Sequence, residues 1–131
     1  LFEFHIYILY CCLTDQDVKA IEIIEHQFPF SQTITTKLGV LHFYYACSVF
    51  FRKLHDKDSA LVKMKLPDNW EVSSKNNEYS TLELYNWFDQ EVEKLSEVFD
   101  VRNGNTYYRD YFIKMDAKMK EVSSKAVADI D

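Results

Sequence analysis

Residues 80–127 have the sequence STLELYNWFDQEVEKLSEVFDVRNGNTYYRDYFIKMDAKMKEVSSKAV, and their pattern is the strongest indication of the fold. Apolar side chains recur every three or four residues on both sides of Gly104, which is the spacing of an amphipathic helix. The two apolar runs are Leu84, Phe88, Val92, Leu95 and Phe99, then Tyr108, Tyr111, Phe112, Met115, Met119 and Val122. We predict an antiparallel helical hairpin over 80–127, because only about three residues separate the two helices.

The ends of these two helices carry their own signals. Ser80 and Glu83 form a capping box, in which the Ser80 hydroxyl accepts a hydrogen bond from the Glu83 N–H. Gly104 supplies the left-handed residue that ends many helices, and Asn105 is a good N-cap for the second helix. An Asn-Gly pair can also form a β-hairpin turn, but the helical period continues for about five turns on each side, which is longer than most strands.

The upstream half of the chain also predicts helices. One helix covers about 14–29, where Pro29 ends it, and another covers about 31–54. Residues 38–51 are apolar almost all round, which is typical of a helix surrounded by others. We therefore place this second helix at the centre of a bundle.

Four segments are less regular. Residues 1–13 alternate like a strand but fit a single buried helix about as well, and the helical remainder of the chain favours the helix. Residues 60–66 form a short helix or strand, and the polar segment 67–79 is predicted to be the longest exposed loop. The tail 123–131 is small and charged, and we expect it to fray.

Composition supports one helical domain over 1–131. The chain has 131 residues, of which 47% are hydrophobic and 16% aromatic; this excludes a disordered chain and is enough for a real core. Two glycines and two prolines are too few for the many turns of an all-β fold. We therefore predict an all-α bundle of about four long helices plus a short element.

Charge and cysteine content restrict the partners and the compartment. The formal net charge of −6 disfavours a general nucleic-acid-binding surface, and the apolar residues 1–13 are too few to span a membrane. Three cysteines, two of them adjacent, suggest no disulfide framework and favour a reducing compartment. We therefore predict a cytoplasmic protein without a membrane contact.

Candidate catalytic and metal-binding residues are few. Glu22 and His26 lie four residues apart and could share a metal, but a di-metal bundle needs a second such motif, and the sequence has none. His42 falls on the predicted central helix, where a core histidine is the commoner role, and His55 falls in a charged turn. The cysteines would need a nearby base to act as nucleophiles. We predict no catalytic residue, no cofactor and no metal.

Two stretches resemble a known family. Residues 95–103, LSEVFDVRN, and the aromatic, alanine-containing residues 42–54 resemble parts of HEPN-type helical bundles. In that family an arginine, often followed by asparagine, precedes a histidine that its ribonuclease chemistry uses. Arg102 and Asn103 match the first two positions, while Tyr107 stands near the place of the histidine and no histidine follows position 55. The resemblance therefore implies an RNA-directed domain, active or degenerate.

Three functions follow as hypotheses. The first is a non-enzymatic module, of the immunity, antitoxin or adaptor kind, which binds another protein or forms a homo-oligomer through an acidic, aromatic-containing surface. The second is the HEPN-like RNA-binding or ribonuclease-related domain, for which alone we expect nucleic acid as a partner. The third is a bundle that binds a small ligand between helices lined by tyrosine and phenylalanine.

The candidate residues for an anion or RNA contact surround the predicted turn, and they are Arg102, Asn103, Tyr107 and Arg109. Arginine can hold a phosphate or a carboxylate through two parallel hydrogen bonds. The simpler role for both arginines is to neutralise helix ends, which the helix dipole favours for Arg102 at a C-terminus.

Overall fold

The computed structural model describes the backbone of residues 3–34 and 36–130 and the side chains of 3–34 and 36–122. Five helices occupy most of this described part: α1 (Phe4–Leu13), α2 (Asp17–Ser31), α3 (Lys37–Asp56), α4 (Thr81–Asn103) and α5 (Tyr107–Ile130). Two short strands, β1 (Leu61–Lys63) and β2 (Glu78–Ser80), pair antiparallel with Val62 opposite Tyr79. The predicted, mostly helical fold is confirmed, and the small sheet adds to it.

The chain divides into two compact units, Leu1–Val92 and Glu93–Asp131. The first unit contains α1, α2, α3, the sheet and the N-terminal part of α4. The second contains the C-terminal part of α4 and all of α5. The single domain over 1–131 and the packing of the two apolar stripes in the hairpin 80–127 stay predictions.

Helix α3 forms the core of the first unit. Every residue from Gly39 to Phe51 is buried, as its continuous apolar sequence predicts. Helices α1 and α2 both pack against it. Buried rings extend the core to α4, where Phe51 and Phe88 stack with their centroids 5.6 Å apart.

Two of the less regular segments are now defined. The segment 1–13 is a helix over Phe4–Leu13 and not a strand, while Leu1 and Phe2 lie outside the described residues. The segment 67–79 is not simply the predicted exposed loop, since Val72 and Tyr79 are buried and Tyr79 belongs to β2. These apolar side chains are isolated among polar neighbours, so they have no period that would mark them as core residues.

Three helix boundaries differ from the predicted ones. Helix α2 begins at Asp17 and not at about residue 14. Helix α2 continues past Pro29 to Ser31, because a proline in the last turn removes few intrahelical hydrogen bonds and its ring lies exposed here. Helix α3 begins only at Lys37. The Ser31 hydroxyl instead donates to the Phe28 carbonyl at 2.6 Å and lies 3.1 Å from the Tyr44 hydroxyl.

The end signals of the predicted hairpin are present. The Ser80 hydroxyl accepts a hydrogen bond from the Glu83 N–H at 3.2 Å, so this half of the capping box is formed. Gly104 has a φ of 69°, which is the left-handed conformation that ends helix α4. The backbone of α5 is helical to Ile130, and the fraying of the tail 123–131 stays a prediction.

Candidate interaction surfaces

Helix α1 exposes an apolar face. Ile6, Tyr7 and Tyr10 are 59%, 58% and 58% exposed, although Ile8 on the same helix is fully buried. At 3.6 residues per turn the three exposed side chains lie on one side of α1, together with Glu3. Because α1 is apolar all round, packing one side against α2 and α3 leaves apolar side chains on the opposite side.

The α1 face, Ile6, Tyr7 and Tyr10, is large enough to matter energetically. With more than half of each side chain in water, the three expose roughly 300 Å² in total. The largest apolar patch on a typical monomer begins at about this size and is often functional. Burying this face against a partner would contribute about 7 kcal/mol to the free energy of binding, before the costs of association are subtracted.

The turn that follows α1 makes ion pairs with the C-terminal part of α3. The Lys53 Nζ atom lies 2.7 Å from Asp15 Oδ1 and 3.3 Å from Asp17 Oδ1, and the Lys57 Nζ atom lies 3.1 Å from Asp15 Oδ1. The hydrogen bonds from Lys53 and Lys57 lower the pKa of the Asp15 carboxyl. This cluster ties the turn between α1 and α2 to the end of α3, and so helps to position α1.

The four predicted anion-contact residues lie at the junction of α4 and α5. The guanidinium carbon of Arg102 is 5.0 Å from the centre of the Phe99 ring, which is a cation–π contact. Tyr107 is 58% exposed, and its ring stacks on that of Tyr111 with the centroids 6.2 Å apart. The side chains of Asn103 and Arg109 are exposed as well.

The N-terminus of α5, where an anion would bind, already holds a carboxylate. Asp100 accepts hydrogen bonds from the N–H groups of Tyr108 at 3.0 Å and Arg109 at 3.1 Å, and Asn105 Oδ1 accepts the N–H of Tyr107 at 3.2 Å. These contacts use the amides that a helix start offers to a phosphate. An incoming anion is therefore left with the exposed side chains of the junction.

A shallow groove of about 540 Å³ lies along the C-terminal half of α4. Its lining residues are Lys94, Glu97, Val98, Val101 and Arg102. Three charged and two aliphatic side chains do not resemble the tyrosine- and phenylalanine-lined site of the small-ligand hypothesis. This groove therefore does not favour that hypothesis.

The histidines are either buried together or exposed. His5 and His42 are both 8% exposed, with ring centroids 5.0 Å apart. Burial, and then the neighbouring His5, lower the pKa of His42 to about 4, so its ring is neutral at pH 7. His26 and His55 are exposed, and the His26 ring contacts the Gln27 amide at 3.2 Å.

The cysteines are unsuited to nucleophilic chemistry. Burial raises the pKa of Cys12 to about 12 and that of Cys47 well above its ordinary value, and it raises the pKa of Cys11 as well. Thiols in such surroundings stay protonated and unreactive. Within the described residues, no group of three His, Cys, Asp or Glu is placed to hold a metal.

Comparisons with known proteins identified no similar protein. No protein-family model matches the chain, and no curated protein or solved structure matches it either. The resemblance to HEPN-type bundles therefore stays a prediction from the two quoted stretches. In the described part of the chain, no helix is both long enough and apolar enough to cross a membrane.

Sequence reasoning missed two features of these surfaces. The α1 face has no sequence signal, because a segment that is apolar on every side does not indicate which side is covered. The Asp100 cap has a weak signal, namely an acidic residue shortly before the turn that starts α5. The sequence predicted that Arg102 and Tyr107 lie at the junction, because the predicted ends of the two helices place both residues beside the turn.

Proposed function

We propose that this protein is a non-enzymatic protein-interaction module that contacts another protein, or a second copy of itself, through the α1 face. The main support for this proposal is the exposure of Ile6, Tyr7 and Tyr10 on one side of a helix whose other side is packed. Tyrosine is enriched where proteins bind each other, because its ring gives a large contact area and its hydroxyl stays satisfied in water.

The inner side of α1 supports the proposal, because it makes the face rigid. Ile8 is fully buried and Cys12 nearly so, and the ion pairs of Lys53 and Lys57 with Asp15 tie the turn that follows α1 to α3. A surface that is already ordered loses little conformational entropy when it binds. The α1 face is thus a preformed contact area.

The charge of the first unit indicates the chemistry of the partner. Residues 1–92 carry 13 acidic and 8 basic side chains, a net charge of −5, whereas Glu3 alone is charged on the outer side of α1. Complementary potentials steer proteins together and reject wrong partners. A partner with an apolar centre and a basic rim suits this arrangement.

The proposal is tested by site-specific photo-crosslinking in living cells. A photoreactive amino acid replaces Tyr10 in one variant and Val101, which is 74% exposed on α4, in a matched control. We expect one discrete adduct from position 10 that position 101 does not form. Its mass distinguishes a different protein from a second copy of this chain. Equal labelling from both positions, or no adduct from position 10, would contradict the proposal.

A second candidate function rests on a different observation, the arginine guanidinium and the tyrosine rings at the α4–α5 junction. Arg102 lies over Phe99, and the exposed Tyr107 stacks on Tyr111. Single-stranded RNA is bound by stacking its bases on aromatic rings and arginine planes. The HEPN resemblance points to the same turn, and loss of the family's histidine would leave binding without cleavage.

This second candidate is tested by RNA binding at low salt. Tyr107→Ala should weaken the binding of a short single-stranded RNA by about 5- to 150-fold, the value of one stacked base. Lys118→Ala removes an exposed charge further along α5 and serves as the control. An equal effect of both variants, or no binding by the unaltered protein, excludes the junction as an RNA site.

A further inference from the structure

The chain turns from α4 into α5 at Asn103-Gly104, where an asparagine precedes a glycine. The side-chain carbonyl carbon of an asparagine can be attacked by the backbone nitrogen of the next residue, and a side chain on that residue hinders the approach. Gly104 has none. Apart from its chain neighbours, no described atom lies within 4 Å of the place where a Cβ would stand. The turn is therefore uncrowded on the side of Gly104 where a side chain would stand.

The backbone of this turn restrains the Gly104 nitrogen weakly. Its N–H donates to the Val101 carbonyl at 3.3 Å, whereas the next amide, of Asn105, donates to the Asp100 carbonyl at 3.0 Å. The first distance is at the long end for an N–H···O hydrogen bond. Asn103 is exposed and is the last residue of α4, and helix ends open first. A small local opening is thus enough to release the nitrogen.

We propose that Asn103 is a site of spontaneous deamidation in the folded protein. The Gly104 nitrogen bonds to the side-chain carbonyl carbon of Asn103, and the carbon–nitrogen bond of the side-chain amide breaks. Ammonia leaves with the proton that the Gly104 amide gives up. Solvent water then opens the cyclic imide at either carbonyl, giving aspartate or isoaspartate at position 103. The steps need no oxidant or reductant.

Either product changes the junction. The new carboxylate stands at the C-terminus of α4, where a negative charge opposes the helix dipole. Isoaspartate also routes the backbone through the former side chain, which lengthens the chain just before Gly104. That lengthening disturbs the turn in which the Asp100 carboxylate bonds the amides of Tyr108 and Arg109. The modified protein should melt at a lower temperature than the unmodified one.

The chain supplies its own controls for this reaction. Asn76 and Asn77 are also exposed and have left-handed backbones, with φ of 55° and 61°, but each is followed by a residue with a side chain. The folded protein is incubated in mildly alkaline buffer at physiological temperature, and peptide mass spectrometry follows the conversion of each asparagine. We expect the acid at position 103 to accumulate several-fold faster than at 76 or 77.

Two variants make the test decisive. Gly104→Ala should nearly abolish conversion at Asn103, with circular dichroism showing that the helices remain. Asn103→Gln should keep its amide over the same incubation without altering Gly104. The proposal is overturned if Asn76 or Asn77 converts as fast as Asn103. It is also overturned if Asn103 converts in urea but stays an amide in the folded protein.

Discussion

Replacing the buried His42 with phenylalanine should remove a large part of the acid sensitivity of the fold. His42 is 8% exposed on α3, and burial together with the nearby His5 lowers its pKa from 6.5 to about 4. The unfolded chain therefore takes up a proton at this residue at a higher pH than the folded chain does. Stability is fully present above pH 6.5 and is lost as the pH falls towards about 4.

The size of this effect follows from the pKa difference between the two states. The values of 6.5 and about 4 differ by about 2.5 units, and each unit corresponds to about 1.4 kcal/mol. The free energy of unfolding should fall by about 3 kcal/mol across this window because of His42 alone. That is a large share of the roughly 5–15 kcal/mol by which a small domain is typically stable against unfolding.

The assay is urea unfolding at a series of pH values, followed by the fluorescence of Trp70 and Trp87. The quantity of interest is the difference in unfolding free energy between the unaltered protein and His42→Phe, because carboxylates titrate equally in both. We expect this difference to change by about 3 kcal/mol between pH 6.5 and pH 4. His55→Gln, at an exposed position, should leave the profile unchanged. Parallel profiles for the unaltered protein and His42→Phe would show that His42 does not cause the acid sensitivity.

Three further predictions concern the junction and the thiols. Asp100→Ala should lower the free energy of unfolding by about 1 kcal/mol, because it removes the carboxylate that caps α5. As a control, Glu97→Ala on the exposed side of α4 should lower this free energy clearly less in the same urea titration. Gly104→Ala should cost about 1–2 kcal/mol, since its φ of 69° strains a residue with a Cβ, and an unchanged unfolding midpoint would show that the turn relaxes freely. Cys12 and Cys47 should react with a thiol reagent only after urea unfolds the protein, because burial keeps their pKa high; rapid labelling of the folded protein would contradict this.

The periodicity of apolar residues along the chain was sufficient to predict the long helices. The apolar spacing around Gly104 predicted α4 and α5, and the continuous apolar run predicted that α3 would be buried, because both signals depend only on neighbours along the chain. The same spacing placed Arg102 and Tyr107 beside one turn. The prediction that α2 ends at Pro29 was wrong, because a proline breaks a helix only where hydrogen bonds would follow it, and few follow Pro29.

The amino-acid sequence alone thus predicted the long helices α2 to α5 and the turn from α4 into α5, but it left residues 1–13 and 60–66 open between helix and strand. Packing between distant segments determines which side of α1 is covered, buries Val72 and Tyr79, and brings the His42 ring beside that of His5. It also placed the Asp100 carboxylate on the first amides of α5. Burial and pairing could not be predicted because they depend on residues far apart in the chain, whereas helix formation depends on residues three and four positions apart.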